Sequence, residues 1–285
     1  MESLRLPAPA KLNLMLRVVG RRDDGYHLLQ TVFQFIDRCD WISFHPRADG
    51  AIRLKNPLPG VPEEADLTVR AALALREASG VNTGVTIEVE KNLPMGGGLG
   101  GGSSDAATTL LGLDHLWGAG LSVAELRALG LMLGADVPVF IEGRAAWAEG
   151  VGEHLTPLDL PEPWYAVIVP DCHVATGRIF SAPNLTRNNP AIKIRDFLEG
   201  QRDNHCLPVV AGLYPQISKA MDDLSQYSSA RLTGTGACVF AEFDSESKAQ
   251  EAAERLSAAW AVFVARGLNE SPLHRMLTRV SFIGA

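Results

Sequence analysis

Leu93-Pro94-Met95-Gly96-Gly97-Gly98-Leu99-Gly100-Gly101-Gly102-Ser103-Ser104-Asp105 is the stretch on which the reading of this chain turns. Six glycines fall within the seven positions Gly96 to Gly102, and two hydroxyls follow at once. Glycine, lacking Cβ, takes φ > 0 readily and lets an anion approach backbone N–H groups closely. Upstream, Val85-Thr86-Ile87-Glu88-Val89 alternates as a strand; downstream, Ala107, Leu110 and Leu111 fall on one helical face. A helix that starts just after the loop adds unpaired N–H groups and the positive end of its dipole. The stretch therefore reads as a phosphate cradle, and the ligand it predicts is a nucleotide.

Three phosphate-loop patterns compete for the run. Gly96-x-Gly98-x-x-Gly101 matches the dinucleotide fingerprint, with Glu125 near the ribose-binding position, but so many glycines make such a match easy. A Walker A loop needs Gly-Lys-Ser/Thr, and Gly101-Gly102-Ser103 has no lysine. The third pattern is a proline, two glycine triplets around Leu99, and paired serines. A flexible linker is the bland alternative, but linkers do not sit between a strand and an amphipathic helix.

The rest of the composition narrows the class. The net charge is −7 and no Lys/Arg block occurs, which argues against a nucleic-acid partner. An anionic ligand must then be held by local N–H groups and a few lysines. No apolar run approaches the roughly 20 residues that span a bilayer, and Met1-Glu2-Ser3-Leu4-Arg5 carries no signal core, so a cytoplasmic protein off the membrane is expected. Cys39, Cys172, Cys206 and Cys238 are scattered without CxxC spacing, as in a reduced cytosolic chain, and the histidines show no zinc spacing.

Along the chain, strands are expected around Leu12–Leu16, Thr31–Ile36, Trp41–Phe44, Val85–Val89, Ala145–Ala148, Trp164–Val169 and Ala261–Ala265. A strand interrupted by glycines is expected over Leu232–Phe243. A proline loop lies at Pro57 to Pro62. Asp66 caps a helix that Gly80 ends, Ser103 or Ser104 caps the next, and Ser122-Val123-Ala124-Glu125 is a capping box for a third, ending near Leu133. Gly134-Ala135-Asp136-Val137-Pro138 breaks the helical pattern. Further helices are expected near 176–182, 190–200 and 245–259. The prolines between Pro157 and Pro163 mark a boundary, giving an α+β chain with domains over 1–160 and 161–285.

Taken together, three stretches resemble the GHMP kinases, the family of galactokinase, homoserine kinase and mevalonate kinase. Pro9-Ala10-Lys11-Leu12-Asn13-Leu14 is similar to the family's N-terminal motif, the glycine run to its phosphate-binding motif, and Leu232-Thr233-Gly234-Thr235-Gly236-Ala237-Cys238-Val239 to its third. Arg22-Asp23-Asp24-Gly25-Tyr26-His27, Leu133-Gly134-Ala135-Asp136-Val137-Pro138-Val139-Phe140 and Ser271-Pro272-Leu273-His274 narrow the resemblance to members with a cytidylyl sugar-alcohol acceptor. It covers nearly the whole chain, from Pro9 to His274.

The resemblance implies a two-domain GHMP kinase fold, with the active site in the cleft between domains, and ATP with Mg²⁺ as the phosphoryl donor. Pro94, Met95, Gly96, Gly97, Gly98, Leu99, Gly100, Gly101, Gly102, Ser103 and Ser104 would hold the ATP phosphates. Alone, Asp136 reads as a turn residue at a helix end and Lys11 as an edge-strand lysine. In the family pattern Asp136 is the general base for the acceptor hydroxyl, and Lys11 contacts both acceptor and base. Tyr26 and His27, which alone read as packing residues, would stack on the cytosine and hydrogen-bond its edge, with Phe180 on the opposite face. Asn13 and the backbone at Val151 join the acceptor side; Asp66, Lys91 and Asn92 are candidates for the ATP base and ribose. Asp105 places a negative charge near the phosphates or orders the first helical turn. The protein is expected to work as a monomer or weak homodimer. The rival readings are a GHMP kinase for homoserine or mevalonate, a non-catalytic nucleotide-binding module, and an NAD-dependent dehydrogenase.

Overall fold

A computed structural model describes residues 3–58 and 60–283; Met1, Glu2 and Pro59 of the proline loop lie outside them. The chain opens with two long strands, β1 (Leu4–Arg21) and β2 (His27–Arg47), paired antiparallel. The short β3 (Ile52–Leu54) and helix α1 (Leu67–Ser79) lead into β4 (Gly84–Glu90), the glycine run and α2 (Gly101–Trp117). Then come α3 (Val123–Leu133), α4 (Val137–Glu142), β5 (Ala146–Glu149) and β6 (His154–Pro157).

The second half runs β7 (Trp164–Val169), α5 (Thr176–Ser181), α6 (Ile194–Leu198), α7 (Leu207–Leu213), α8 (Pro215–Ser225), β8 (Ala230–Leu232), β9 (Val239–Phe243), α9 (Glu246–Leu256), β10 (Ala261–Leu268) and α10 (Pro272–Ile283). One path of strands, β3-β4-β2-β10-β7-β9-β8, crosses the molecule, with β1 and β5 also on β2 and β6 on β5. Among the described residues β3 and β4 form the one parallel strand pair, and the other paired strands are antiparallel. A doubly wound dinucleotide fold needs a parallel sheet, so the NAD-type reading of the glycines fails at the level of topology.

Strand β1 ties the layers together. It is buried at every position from Leu6 to Leu16, where alternation alone reads as one covered face. The reason is that β1 threads three cores in turn. Leu4, Leu6 and Ala8 join the first, with Phe44, Leu110 and Phe140; Ala10, Leu12 and Met15 join a central one, with Trp147, Val167 and Phe240; Leu16 and Val18 join the third, with Ile168, Val210 and Val239. The chain also returns at its end: Gly267 and Leu268 of β10 pair with Ile36 and Phe35, and Leu273 of α10 is buried in the first core.

The helix ends follow local rules where these act alone. Asp66 accepts the Thr68 N–H at 2.8 Å, Gly80 closes α1 at φ 71°, and Ser122 and Glu125 form the capping box. Glu125 is thereby committed to α3 and is no ribose ligand. Elsewhere the expectations need correction. Helix α2 starts at Gly101, ahead of both serines. The helix expected over 190–200 shortens to α6, and Gly234 and Gly236, at φ 57° and 89°, turn the chain between β8 and β9. The break after α3 is present over Gly134–Asp136, but Pro138 lies beyond it in the first turn of α4, and prolines likewise fall in the first turns of α7 and α8.

Candidate active site

The glycine run closes one side of a cleft of about 590 Å³, whose far wall comes from β1, Asp136, Thr176 and the Gly234–Thr235 turn. Gly96, Gly98 and Gly100 have φ of 69°, 75° and 74°, while Gly97 between them does not, so the loop alternates hand and folds its N–H groups into a concave nest. It is pressed against the third motif: Ala237 and Cys238 donate their N–H groups to Gly96 O and Gly97 O, and Thr233 Oγ1 donates to Gly98 O at 3.1 Å. A side chain at Gly98 would collide with the Thr233 carbonyl.

No side chain caps α2. Its first internal bond is Ser104 N–H to Gly100 O at 2.8 Å, which leaves the N–H groups of Gly101, Gly102 and Ser103 open at the cleft. The run from Pro94 to Ser103 lines the cleft. Ser104 does not: it is fully buried, and its hydroxyl has no partner. The rotation of about 100° per residue along the helix separates two neighbours that look equivalent in sequence.

Lys11 and Asn13, two apart on β1, share one face of the strand. Lys11 is 2% exposed; its ammonium donates to Asn13 Oδ1 (2.5 Å) and Gly98 O (3.0 Å) and forms an ion pair with Asp136 Oδ2 at 3.1 Å. Asn13 in turn donates to Thr31 Oγ1 at 2.9 Å. Asp136 stands at the N-terminal boundary of α4 but its side chain makes no cap bond. Its carboxylate faces Lys11 across the cleft mouth, available for a ligand proton.

Tyr26, His27 and Phe180 line a second hollow of about 480 Å³, which opens into the cleft through Leu29, Ala135, Val151 and Thr176. Tyr26 is 63% exposed, an apolar ring held in solvent. His27 and Phe180 stack on each other, 5.0 Å between centroids and 31° between planes, and both line the hollow with Tyr26. Burial, with Arg187 and Arg21, holds the His27 imidazolium below its ordinary pKa. Leu58, Val61, Leu67 and Met95 add apolar side chains to the lining of the cleft.

Of the residues expected near the donor base, Asp66 lines the cleft but uses its carboxylate on α1. Lys91 lines it too, whereas Asn92 does not and donates its N–H to Asp40 Oδ1. Lys91 bridges two buried carboxylates, Asp40 and Asp105, the latter at 2.7 Å. Asp105 is thus no first-turn capping charge; burial, reinforced by Asp40 and opposed by Lys91, pushes its carboxyl up to about 7. Thr176 and Thr235, with hydroxyls 3.0 Å apart, and Arg187 are site residues that sequence reasoning missed. Thr235 sits inside the third motif, where a signal existed; Arg187 has none.

Residues 66–144 match the model of the GHMP kinases N-terminal domain, and residues 185–262 that of the GHMP kinases C-terminal domain. The chain belongs to the GHMP kinase family. This GHMP kinase is 59% identical over 276 residues to the 4-diphosphocytidyl-2-C-methyl-D-erythritol kinase of Methylococcus capsulatus, covering 96% of the chain and 95% of the relative. Its identity to the enzyme of that name from Nitrosococcus oceani is 58%, covering 94% and 95%. A crystal structure of 4-(cytidine 5'-diphospho)-2C-methyl-D-erythritol kinase superposes with a TM-score of 0.81 at 33% identity, covering 93% of this chain and 99% of the other. A mevalonate kinase structure shares the fold, at TM-score 0.70 and 16% identity, covering 94% and 100%. Among the described residues no helix is long and apolar enough to cross a membrane.

Proposed function

We propose that this GHMP kinase transfers the γ-phosphoryl group of ATP to the 2-hydroxyl of 4-(cytidine 5'-diphospho)-2-C-methyl-D-erythritol, a step of isoprenoid precursor synthesis. The observation that carries the reading is a junction. The nest of Gly96–Gly100 and the open start of α2 meet the Lys11–Asp136 pair in one cleft, which continues into the Tyr26–His27–Phe180 hollow. This neighbourhood supports reading the glycine loop as donor site, Asp136 as base and the aromatic hollow as acceptor site. The named relatives supply the acceptor's identity.

The reaction needs alignment and charge neutralisation more than covalent help. The N–H groups of Gly101, Gly102 and Ser103 hold the β- and γ-phosphate oxygens, where the helix dipole favours negative charge. Leu58, Val61 and Leu67 take the adenine in an apolar slot. Asp136 accepts the acceptor hydroxyl proton as the new P–O bond forms. Lys11, held by its bonds to Asn13 and Gly98 and paired with Asp136, acts as a fixed positive charge behind Asp136 and the transferring phosphoryl group. Tyr26 stacks on the cytosine and His27 reads its edge.

The donor set also fits Mg²⁺ brought in on the nucleotide. Ser103 lines the cleft and would offer its hydroxyl to the ion alongside the phosphate oxygens of the nucleotide, oxygen donors of the kind Mg²⁺ prefers. When bound, the ion neutralises phosphate charge. A panel of acceptors with labelled ATP tests the assignment: label must pass to the cytidylyl methylerythritol and not to homoserine or mevalonate. Transfer to either of the latter, or ATP binding with no transfer at all, overturns it.

A further inference from the structure

Arg187 approaches the acceptor hollow from behind. Its Nε–H donates to His27 Nε2 at 3.0 Å, while its other groups donate to three carbonyls: Leu185 O at 3.0 Å, Phe180 O at 2.8 Å and Ala182 O at 2.7 Å. A guanidinium has no acceptor, so the bond to His27 runs one way only. The three carbonyls fix the fork and keep it from turning aside. His27 Nε2 must therefore offer a lone pair. An imidazolium would oppose an N–H to an N–H beside a second positive charge, and burial together with Arg187 already disfavours that form. A neutral imidazole has one N–H, which leaves Nδ1 as its carrier. Nδ1 has no protein partner among the described residues, and His27 lines the hollow.

We infer that Arg187 is a positioning residue that locks His27 as the neutral Nδ1–H tautomer, making this nitrogen an obligatory donor and selecting a pyrimidine whose N3 accepts. Cytosine presents a lone pair at N3; uracil presents an N–H there and would set donor against donor. Discrimination between the two bases would then originate in a side chain that never touches either. The same fork holds Phe180 O and Ala182 O, so the stacked ring and the selecting nitrogen are oriented by one group. The inference rests on the cytosine reading of this hollow.

Two measurements test it. In the ligand-free protein labelled with ¹⁵N-histidine, the His27 ring is expected as the Nδ1–H tautomer, with Nε2 unprotonated. In Arg187→Met the signal should shift toward the Nε2–H form. A wild-type ring found in the Nε2–H form, or one unchanged by Arg187→Met, overturns the tautomer lock, and the wild-type spectrum decides this even if the variant fails to fold. The second measurement is kcat/KM for the cytidylyl acceptor against its uridylyl analogue. Leaving a buried pair mismatched in Arg187→Met should cut the wild-type preference for cytosine by roughly 10- to 100-fold, with the KM for ATP within about twofold. An unchanged preference refutes the selecting role. A wild type that uses both acceptors equally, with the Nδ1–H tautomer in place, would instead bring down the cytosine reading on which the inference stands.

Discussion

Lys11 Nζ lies 3.1 Å from Asp136 Oδ2, and the two side chains differ sharply in burial, 3% and 35% exposed. The cation is sealed behind the anion, so the carboxylate is the partner that can meet a substrate. Asp136→Asn keeps the shape and removes the base. Its kcat should fall by about 10²- to 10⁴-fold, while ATP affinity by calorimetry changes little. Wild-type turnover in this variant would exclude Asp136 as the base.

Lys11→Met removes the positive charge and strands one buried acceptor, Asn13 Oδ1, while Gly98 O keeps the Thr233 hydroxyl. An unsatisfied buried group costs about 1–3 kcal/mol, so the melting temperature should drop along with turnover. A variant as stable as wild type would show that water replaces the ammonium.

Gly98 and Gly118 make a matched pair. Both have positive φ, 75° and 62°, but a Cβ at Gly98 collides with Thr233 O, whereas at Gly118 nothing lies within 4 Å. Gly118→Ala should cost about 1 kcal/mol of backbone strain and leave the KM for ATP unchanged. Gly98→Ala must push the phosphate nest off the third motif, and its KM for ATP should rise at least tenfold by the scale of about 1.4 kcal/mol per decade. Equal effects of the two changes on ATP would remove the nest from the binding site.

Tyr26 is 63% exposed at the hollow, so its ring is open to a ligand. Base stacking on an aromatic ring is worth about 1–3 kcal/mol, so Tyr26→Ala should raise the KM for the cytidylyl acceptor by about 5- to 100-fold. Steady-state kinetics with each substrate varied in turn should leave the KM for ATP near its original value.

Asp105 carries a pH signature. Its carboxyl is pushed up to about 7 in the folded protein, from 3.8. Between those values the folded state holds a proton that the unfolded state has lost. Its contribution to stability is therefore complete below about pH 4 and lost as pH rises to 7. Asp105→Asn has no such loss. Calorimetry from pH 5 to pH 8 should show the wild-type melting temperature falling relative to the variant by several degrees, at about 2–4 °C per kcal/mol for a chain of this size class. A constant offset would mean that Asp105 stays ionised beside Lys91.

Local chemistry alone determined the left-handed turns of the glycine loop and the ends of α1 and α3. Glycine's freedom at Gly96–Gly100, the Asp66 cap and the Ser122–Glu125 box all act within a few residues, so their outcome is written in adjacent letters. Tertiary structure decided the rest. Ser103 and Ser104 are equivalent in sequence, yet the pitch of α2 sends one to the cleft and the other to the core. Arg187 reads as an ordinary polar residue until the fold of 180–187 brings its fork to His27. The Lys11–Asp136 pair depends on the burial of β1 between three cores and on the restart of α4 at Pro138. Contacts between distant segments depend on register and packing, which no short stretch of sequence encodes by itself.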